Sequence, residues 1–315
     1  MPFHFPLVNN ASKPEDLLHL NLSHPDIDGP GLMSAHCLSS NNTRLISVRG
    51  YHSPSCHQRF ITPTILIIPP DSTKMPVYCI TGTNRGIGLE FVRQLVQSPS
   101  NVVLALVRSL SSDLGDLRAV ASPTTHILEC DTSSLPSIHD FAKAAAKVLN
   151  PEGRKIDFLI NNAAINAASW QSSLTLGPDD LAAQVTTNVL GPAKTVEFLL
   201  GAELLSPDVR ILNMTSGLAS LTVSSGMEPR KAAGYSISKA ALNMLAVHQS
   251  HDLKEKLPGV VVIVMDPGWV KTRMGGSGAT MEAHDSVGGM LKVLHGLKSE
   301  DNGKFLHSSG RSIPW

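Results

Sequence analysis

The chain has 315 residues, of which 42% are hydrophobic and 17% charged, a composition typical of a globular protein with a sizeable core. Lysine plus arginine and aspartate plus glutamate both total 26, which excludes a strong long-range attraction to nucleic acid or to an anionic membrane. No apolar run approaches the ~20 residues that a membrane-spanning helix needs. The four cysteines show no paired spacing, which favours a reduced protein of the cytoplasm.

Residues 1–74 differ from the rest of the chain in composition and in hydrophobic pattern. They carry nine of the 21 prolines and six of the 13 histidines, without a sustained helical or strand period. We interpret this region as a disordered or dispensable extension. Zinc binding by Cys37, His52, Cys56 and His57 is the alternative, but their spacing matches no established ligand pattern, so we predict no metal site. Met75 lies directly before the first predicted strand, and one hypothesis is that translation starts there.

From residue 76 onward, apolar runs rich in Val, Ile and Leu alternate with amphipathic helical stretches. The predicted strands are VYCIT (77–81), VVLALV (102–107), HILEC (126–130), DFLIN (157–161), VRILNMT (209–215), VVVIVMD (260–266) and KFLH (304–307). The predicted helices are 88–96, 137–149, 179–204, 235–253 and 285–297. Continuous apolar strands that alternate with helices predict an α/β fold, a Rossmann-type doubly wound parallel sheet that forms a single domain over residues 75–315.

The first predicted strand runs into a glycine-rich turn, GTNRGIG, at residues 82–88. Gly82 permits a tight turn, Gly86 lets the backbone approach a pyrophosphate, and Gly88 lets the following helix pack on the sheet. The helix N-terminus then offers free N–H groups to phosphates. The turn predicts a dinucleotide site, although glycine-rich turns also occur for packing reasons.

The end of the second strand indicates which dinucleotide is bound. An NAD site usually has a carboxylate there, whereas this strand ends in Arg108 and Ser109. Arg85, within the glycine turn, can point to the same place. Two guanidinium groups suit the 2′-phosphate of NADP(H), and the alternative is that both arginines are solvated surface residues.

The sequence YSISK places Tyr235 and Lys239 four residues apart at the start of a predicted helix, so both side chains lie on one face. A phenol is a poor acid or base at neutral pH, with a reference pKa of ~10. We expect the Lys239 ammonium, together with an oxidised nicotinamide, to lower that pKa. Alone, such a pair is common on helix surfaces; after a fifth strand of a dinucleotide fold it indicates a catalytic pair.

Over residues 76–315 the sequence resembles the short-chain dehydrogenase/reductase family. The resemblance implies a set of cofactor contacts beyond those argued above. They are Thr83 and Ile87 in the glycine turn, Asp131 against the adenine, Asn162 in the strand end Asn161-Asn162-Ala163-Ala164, Pro267, Gly268, Val270 and Thr272 against the nicotinamide, and Tyr235 and Lys239 themselves. Ala164 replaces the glycine that is usual at the end of the Asn-Asn-Ala-Gly motif.

The resemblance also implies a catalytic tetrad of Asn188, Ser216, Tyr235 and Lys239. Ser216 would donate a hydrogen bond to the carbonyl oxygen, and Tyr235 would supply the proton. Lys239 would bind the nicotinamide ribose, and Asn188 would hold a water that returns the proton. Thr215 and Ser220 are rival hydroxyls, and the spacing from Asn213 selects Ser216.

Within the family, NMTSGLAS, DPGWVKTRMGG and GRSIPW resemble the sniffer and C-signal group of carbonyl reductases and related fungal ketoreductases. This implies an NADPH-dependent carbonyl reductase or alcohol dehydrogenase acting on a small-molecule ketone, aldehyde or quinone. The alternatives are a dedicated polyketide ketoreductase and a non-enzymatic NADPH-binding regulator. Trp269, Met227 and Met274 either form an apolar pocket wall or serve plain packing. Family members often assemble through the helices that carry Asn188 and Tyr235, which implies a homo-oligomer by analogy.

Overall fold

A computed structural model of the protein describes residues 75–227 and 232–315, together with the backbone of residues 20–21, 33–39 and 42–48. The chain divides into two compact units, Met1–Ser72 and Thr73–Trp315.

In the first unit, the described backbone forms a small antiparallel sheet that the sequence analysis does not predict. Its strands are β1 (Leu20–Asn21), β2 (Met33–Ser39) and β3 (Asn42–Val48), in that order. The side chains of the zinc alternative lie outside the described residues, and so does most of the region for which disorder is predicted. Both ideas therefore stay predictions.

The second unit contains a seven-stranded sheet in which every pairing is parallel. Its strands are β4 (Val77–Thr81), β5 (Val102–Val107), β6 (Thr125–Glu129), β7 (Ile156–Asn161), β8 (Leu205–Met214), β9 (Val261–Asp266) and β10 (Phe305–His307). Their order across the sheet is β10-β9-β8-β7-β4-β5-β6. The doubly wound parallel sheet predicted from the sequence is confirmed.

The helices of this unit cover both faces of the sheet. They are α1 (Gly86–Leu95), α2 (Gly115–Val120), α3 (Leu135–Leu149), α4 (Pro178–Val185), α5 (Gly191–Gly201), α6 (Leu221–Ser225), α7 (Ala233–Asp252) and α8 (Ala283–His295). A π-helical turn, Thr186–Leu190, joins α4 to α5, so the long helix predicted near 179–204 is one helix with an internal bulge. The short helices α2 and α6 are not predicted from the sequence.

Alternate residues of the strands point into two separate cores, one on each face of the sheet. Val77 and Cys79 of β4 belong to one core, and Tyr78 and Ile80 belong to the other. All residues of β5 are buried, which is why the strand reads as a continuous apolar run.

The strand order reverses between β4 and β7. From β4 the chain adds β5 and β6 on one side of the sheet, and from β7 it adds β8, β9 and β10 on the other. The helices that follow β4 and β7 therefore diverge and leave a crevice at the carboxyl ends of these strands, which is where open α/β sheets bind ligands.

Candidate active site

The glycine turn lies at this crevice, directly after β4. The amides of Gly82 and Thr83 both donate to the carbonyl of Leu106 on β5, at 2.9 and 3.0 Å. Gly82 and Gly86 have φ of 73° and 57°, in the left-handed region that favours glycine. A Cβ at Gly88 would lie 2.1 Å from the carbonyl oxygen of Gly82, so only glycine lets α1 start this close to the sheet.

The N-terminus of α1 carries neither a side-chain hydrogen bond from its N-cap residue, Arg85, nor an acidic residue in its first turn. Its first N–H groups thus point into the crevice with a positive dipole end and no anionic partner from the helix itself. This cradle, with Ile87 in its first turn, fits the pyrophosphate of a dinucleotide.

Asn162 joins the end of β7 to the glycine turn. Its Nδ2 donates to the carbonyls of Thr81 and Gly82 at 2.8 and 3.1 Å. The Ala163 amide in turn donates to Oγ1 of Thr81 at 2.9 Å. Asn162 thus fixes the shape of the turn, and its contact with a cofactor stays a prediction.

Arg85 and Arg108 are exposed at the outer end of the crevice, and Ser109 is partly buried beside them. Partial burial, and then the positive charges of Arg273 and Arg108, lower the pKa of Arg85. Arg273 is not among the site residues predicted from the sequence. No pattern within the segment around it reveals that it approaches the glycine turn.

Asp131 follows β6 and closes a local turn. Its Oδ1 accepts hydrogen bonds from the amide and hydroxyl of Ser133, at 2.9 and 2.7 Å. The predicted adenine contact of this carboxylate is not tested by these bonds.

Tyr235 and Lys239 lie one turn apart near the start of α7, as the sequence predicts. Lys239 is 1% exposed, and its Nζ donates to the carbonyl of Met214 at 2.8 Å. The same Nζ lies 5.6 Å from the centroid of the Tyr235 ring. The lysine therefore connects the tyrosine to the carboxyl end of β8.

The pKa values of this pair respond first to burial. Burial, followed by the negative charge of Asp266, raises the pKa of Tyr235. The expected lowering of that pKa by Lys239 together with an oxidised nicotinamide stays a prediction. Burial lowers the pKa of Lys239 to about 7, because a buried ammonium loses hydration. Without a cofactor the site thus stabilises the neutral forms of both side chains.

Ser216 lies two residues beyond the end of β8 and caps the 3₁₀ turn Gly217–Ala219. Its Oγ accepts from the Leu218 amide at 3.2 Å, and the residue is only partly buried. The rival hydroxyls are fully buried and bound to backbone: Thr215 Oγ1 donates to the Lys239 carbonyl at 3.4 Å, and Ser220 Oγ donates to the Pro314 carbonyl at 2.6 Å. The geometry therefore favours Ser216 over Thr215 and Ser220.

Asn188 lies in the π-helical turn and is fully buried. Its Nδ2 donates to the carbonyl of Ile165 and to Oγ of Ser238, at 2.9 and 3.0 Å, and its Oδ1 accepts from the Ile165 amide at 2.9 Å. Ser238 Oγ in turn donates to the Tyr235 carbonyl at 2.8 Å. Asn188 therefore ties the loop after β7 to the helix of Tyr235; its predicted water-holding role stays a prediction.

The segment after β9 returns to the glycine turn. Gly268 has φ of 83°, and its amide donates to Oδ1 of Asp266 at 3.1 Å. The Pro267 carbonyl accepts from Ser286 Oγ at 2.7 Å, and Val270 pairs with Met281. The Thr272 side chain lies 3.5 Å from the position that a Cβ on Gly86 would take.

Asp266 is a second residue near the site that is not predicted from the sequence. Besides its influence on Tyr235, its Oδ2 lies 3.1 Å from the position of a Cβ on Gly217, next to Ser216. The Asp-Pro-Gly sequence is local, but only the fold brings the carboxylate of Asp266 close to Ser216 and Tyr235.

The described residues contain neither a metal-binding cluster nor a membrane-spanning helix. In 75–227 and 232–315, no group of three or more His, Cys, Asp or Glu side chains is arranged to hold a metal ion. No described helix is both long and apolar enough to cross a bilayer.

Comparison with known proteins gives a family match over most of the second unit. The family model for short chain dehydrogenases matches residues 76–283. The C-signal protein of Myxococcus xanthus is 38% identical over 160 residues, which cover 51% of this chain and 93% of that protein. The short chain dehydrogenase virK of Hypocrea virens is 32% identical over 228 residues, 69% of this chain and 82% of that protein.

Solved carbonyl reductases share the fold. The NADPH-bound carbonyl reductase from chicken fatty liver is 31% identical and superposes with a TM-score of 0.70, covering 76% of this chain and 98% of that one. The carbonyl reductase Sniffer of D. melanogaster is 26% identical, with a TM-score of 0.68, and covers 76% of this chain and 99% of that one.

Proposed function

The chain belongs to the short-chain dehydrogenase family of oxidoreductases, and from that premise we propose that it is an NADPH-dependent carbonyl reductase. The observation that carries the proposal is the Tyr235–Lys239 pair, with Nζ 5.6 Å from the phenol ring, at the crevice where the strand order reverses. Cofactor contacts, catalytic roles and substrate are all parts of this proposal.

The choice of NADPH rests on charge at the outer end of the crevice. Arg85 and Arg108 are exposed there, and among the residues that the structure describes neither forms an ion pair with a carboxylate. A phosphate dianion neutralises two such guanidinium groups, whereas a ribose hydroxyl does not. The NADPH-bound chicken reductase supports the same choice.

The bound cofactor would supply the hydride, and the protein side chains would manage the charge that develops on the carbonyl oxygen. Tyr235 holds the proton for that oxygen, and its raised pKa keeps the phenol protonated at neutral pH. Ser216 is partly exposed and offers a hydroxyl donor to the same oxygen. The hydrogen bond from Lys239 Nζ to the Met214 carbonyl holds the lysine side chain in the site, where we place it against the nicotinamide ribose.

The mouth of the crevice favours an apolar substrate. Three segments that follow β7, β8 and β9, the second of which includes α6, expose large apolar side chains: Trp170, Leu174, Leu221, Val223, Met227, Trp269 and Met274. The loop after β7 is tied to the start of α7, since the amides of Ala232 and Ala233 donate to the carbonyls of Ser169 and Gln171 at 2.9 and 3.2 Å. Exposed apolar groups near a catalytic helix suit a hydrophobic or aromatic carbonyl compound.

A dedicated ketoreductase for a large aromatic ketone is the second candidate, and the same mouth favours it. Trp170 and Leu174 are 71% and 94% exposed, which provides apolar surface beyond what a small aldehyde would cover. The chain matches an oxidoreductase family over residues 76–283, and this match favours an enzyme over the non-enzymatic alternative.

Loss of NADPH absorbance with purified protein and a carbonyl panel tests the proposal. The panel contains small aldehydes, quinones, aromatic ketones and a polycyclic aromatic ketone. We expect aromatic carbonyls to have a higher kcat/KM than small aliphatic aldehydes. Turnover of the polycyclic ketone alone would favour the second candidate, and no oxidation of NADPH above the protein-free rate with any compound would contradict both.

A further inference from the structure

A third arginine approaches the outer end of the cofactor crevice from the loop after β9. We propose that Arg273 is a ligand of the 2′-phosphate of NADPH, together with Arg85 and Arg108. The inference rests on the proposed function, because it requires NADPH as the cofactor. It assigns to this loop a role in cofactor selection in addition to the predicted nicotinamide contacts of Val270 and Thr272.

Contacts of the glycine turn link Arg85 to the segments that carry Arg108 and Arg273. The glycine turn is bound to the end of β5 through the carbonyl of Leu106, two residues before Arg108. The Thr272 side chain packs 3.5 Å from the Cβ position of Gly86. Arg85 directly precedes Gly86, and Arg273 directly follows Thr272, so these two arginines flank the contact between the turn and the loop.

The loop that carries Arg273 has a defined conformation of its own. The Gly275 amide donates to Oγ1 of Thr272 at 3.1 Å. The Gly276 amide donates to the carbonyl of Thr272 at 3.0 Å. The Lys271 amide donates to the carbonyl of Met281 at 2.8 Å. Arg273 therefore lies on a closed turn, with its exposed side chain free to reach a ligand.

Charge distinguishes Arg273 from the other cation in the loop. Lys271 is paired with Glu282, with Nζ and Oε1 2.5 Å apart. Arg273, like Arg85 and Arg108, has no carboxylate within ion-pair distance among the described residues. The charges of Arg273 and Arg108 repel that of Arg85, and after partial burial this repulsion is what lowers the pKa of Arg85. A dianion between them converts the repulsion into attraction.

The 2′-phosphate explains this placement better than the pyrophosphate does. The pyrophosphate site is the N-terminus of α1, where free N–H groups supply the donors. Arg108 lies beyond the end of β5, where a dinucleotide fold binds the adenosine ribose. We therefore assign Arg273 to the ribose substituent, beside Arg85, whose pKa the charges of both Arg273 and Arg108 lower.

Fluorescence titration of the purified protein with NADPH and with NADH tests the inference without using catalysis. We compare wild type, Arg273→Gln, Arg273→Lys and, as a matched control from the same loop, Lys271→Gln. Arg273→Gln should weaken NADPH binding about tenfold and leave NADH binding almost unchanged, because one charge-assisted contact is lost. Arg273→Lys should retain part of the NADPH affinity, and Lys271→Gln should retain affinity for both.

The outcomes separate this inference from the proposed function. If wild type prefers NADPH and Arg273→Gln keeps that affinity, the inference is overturned and the proposed cofactor stands. An equal loss of NADPH and NADH affinity would assign Arg273 to the pyrophosphate and also overturn it. If wild type binds both dinucleotides equally, the proposed cofactor and the inference fail together.

Discussion

Tyr235 and Asp266 show how a site residue depends on a partner far away in the sequence. Burial, and then the carboxylate of Asp266, raises the pKa of the Tyr235 phenol. The local sequence shows only Lys239 one helical turn away, and the charge of an ammonium group lowers the pKa of a phenol. Neither the burial of Tyr235 nor the proximity of Asp266 could be predicted, because both follow from the packing of α7 against the ends of β8 and β9.

Replacing Asp266 tests this electrostatic assignment. Asp266→Asn removes a negative charge that disfavours the phenolate, so the pKa of Tyr235 in the cofactor-free protein should fall. Ultraviolet titration of tyrosinate, with Tyr235→Phe subtracted in each background, measures the shift.

Glu300→Gln is the control, since Glu300 is exposed and precedes β10 on the amino-terminal side of the strands, whereas Asp266 lies at the carboxyl end of β9. Asp266→Asn should also move the alkaline rise of alcohol oxidation to lower pH, because oxidation requires the phenolate as base. An unchanged or increased pKa in Asp266→Asn would refute the assignment.

At the scale of elements, the π-helical turn between α4 and α5 positions Asn188. Gly191 and Pro192 indicated a disturbance in the helix, but the sequence could not show which groups the bulge would bring together. The bonds of Asn188 to Ile165 and Ser238 join three segments, and all of them depend on tertiary packing.

Asn188→Ala should destabilise the protein by roughly 2–4 kcal/mol, because it removes three hydrogen bonds and leaves polar groups of Ile165 without partners. Ser238→Ala removes one bond to Asn188 and the bond of Ser238 Oγ to the Tyr235 carbonyl, and should cost about 1–2 kcal/mol. The midpoints of urea unfolding measure both effects. Equal midpoints for Asn188→Ala and wild type would show that the network does not stabilise the fold.

The glycine turn gives a matched pair of substitutions. Gly88→Ala places a Cβ 2.1 Å from a backbone oxygen, so we expect a loss of about 3 kcal/mol and of NADPH binding. Gly201→Ala, at the end of α5, meets nothing within 4 Å and should be neutral or stabilising by up to about 1 kcal/mol. Thermal unfolding and NADPH titration measure both, and a stable, NADPH-binding Gly88→Ala variant would contradict the packing role of Gly88.

The long elements were predictable from the sequence and the short ones were not. The strands β4, β5, β7 and β9 are nearly continuous apolar runs, and their predicted bounds agree with the structure to within about a residue. The helices α2 and α6 have six and five residues, too few for a periodic pattern. The strand β8 begins at Leu205, ahead of the predicted Val209, because Pro207 and Asp208 interrupt the apolar pattern at its start.

At the scale of the molecule, the unit from Thr73 contains the whole candidate site. Met75 packs at the edge of one core, and its sulfur accepts from Nη2 of Arg154 at 3.4 Å. A chain that begins at Met75 should therefore keep the unfolding temperature and activity of the full chain, as the sequence analysis predicts. A chain that begins at Gly82 lacks β4 and should not fold; circular dichroism and a carbonyl assay measure both.

Loss of activity in the chain that begins at Met75 would assign a role to residues 1–74. The predicted cytoplasmic location and the predicted homo-oligomer are likewise properties of the whole molecule, and both stay predictions.

The sequence predicted the sheet and the order of its motifs, because each motif is local. The approach of Arg273 to Arg85, the charge of Asp266 near Tyr235, and the contact of the C-terminal segment with the loop after β8 are not local. In that last contact, Ser220 and Thr222 donate to the carbonyls of Pro314 and Trp315 at 2.6 and 2.8 Å. Such contacts follow from the fold and have no signature within a single segment.

In the proposed reaction the phenol of Tyr235 protonates the carbonyl oxygen of the substrate. Tyr235→Phe removes only the hydroxyl, so kcat should fall about 10²–10⁴-fold, with the dissociation constant of NADPH nearly unchanged. Reduction of the best carbonyl substrate by Tyr235→Phe at close to the wild-type rate would contradict it.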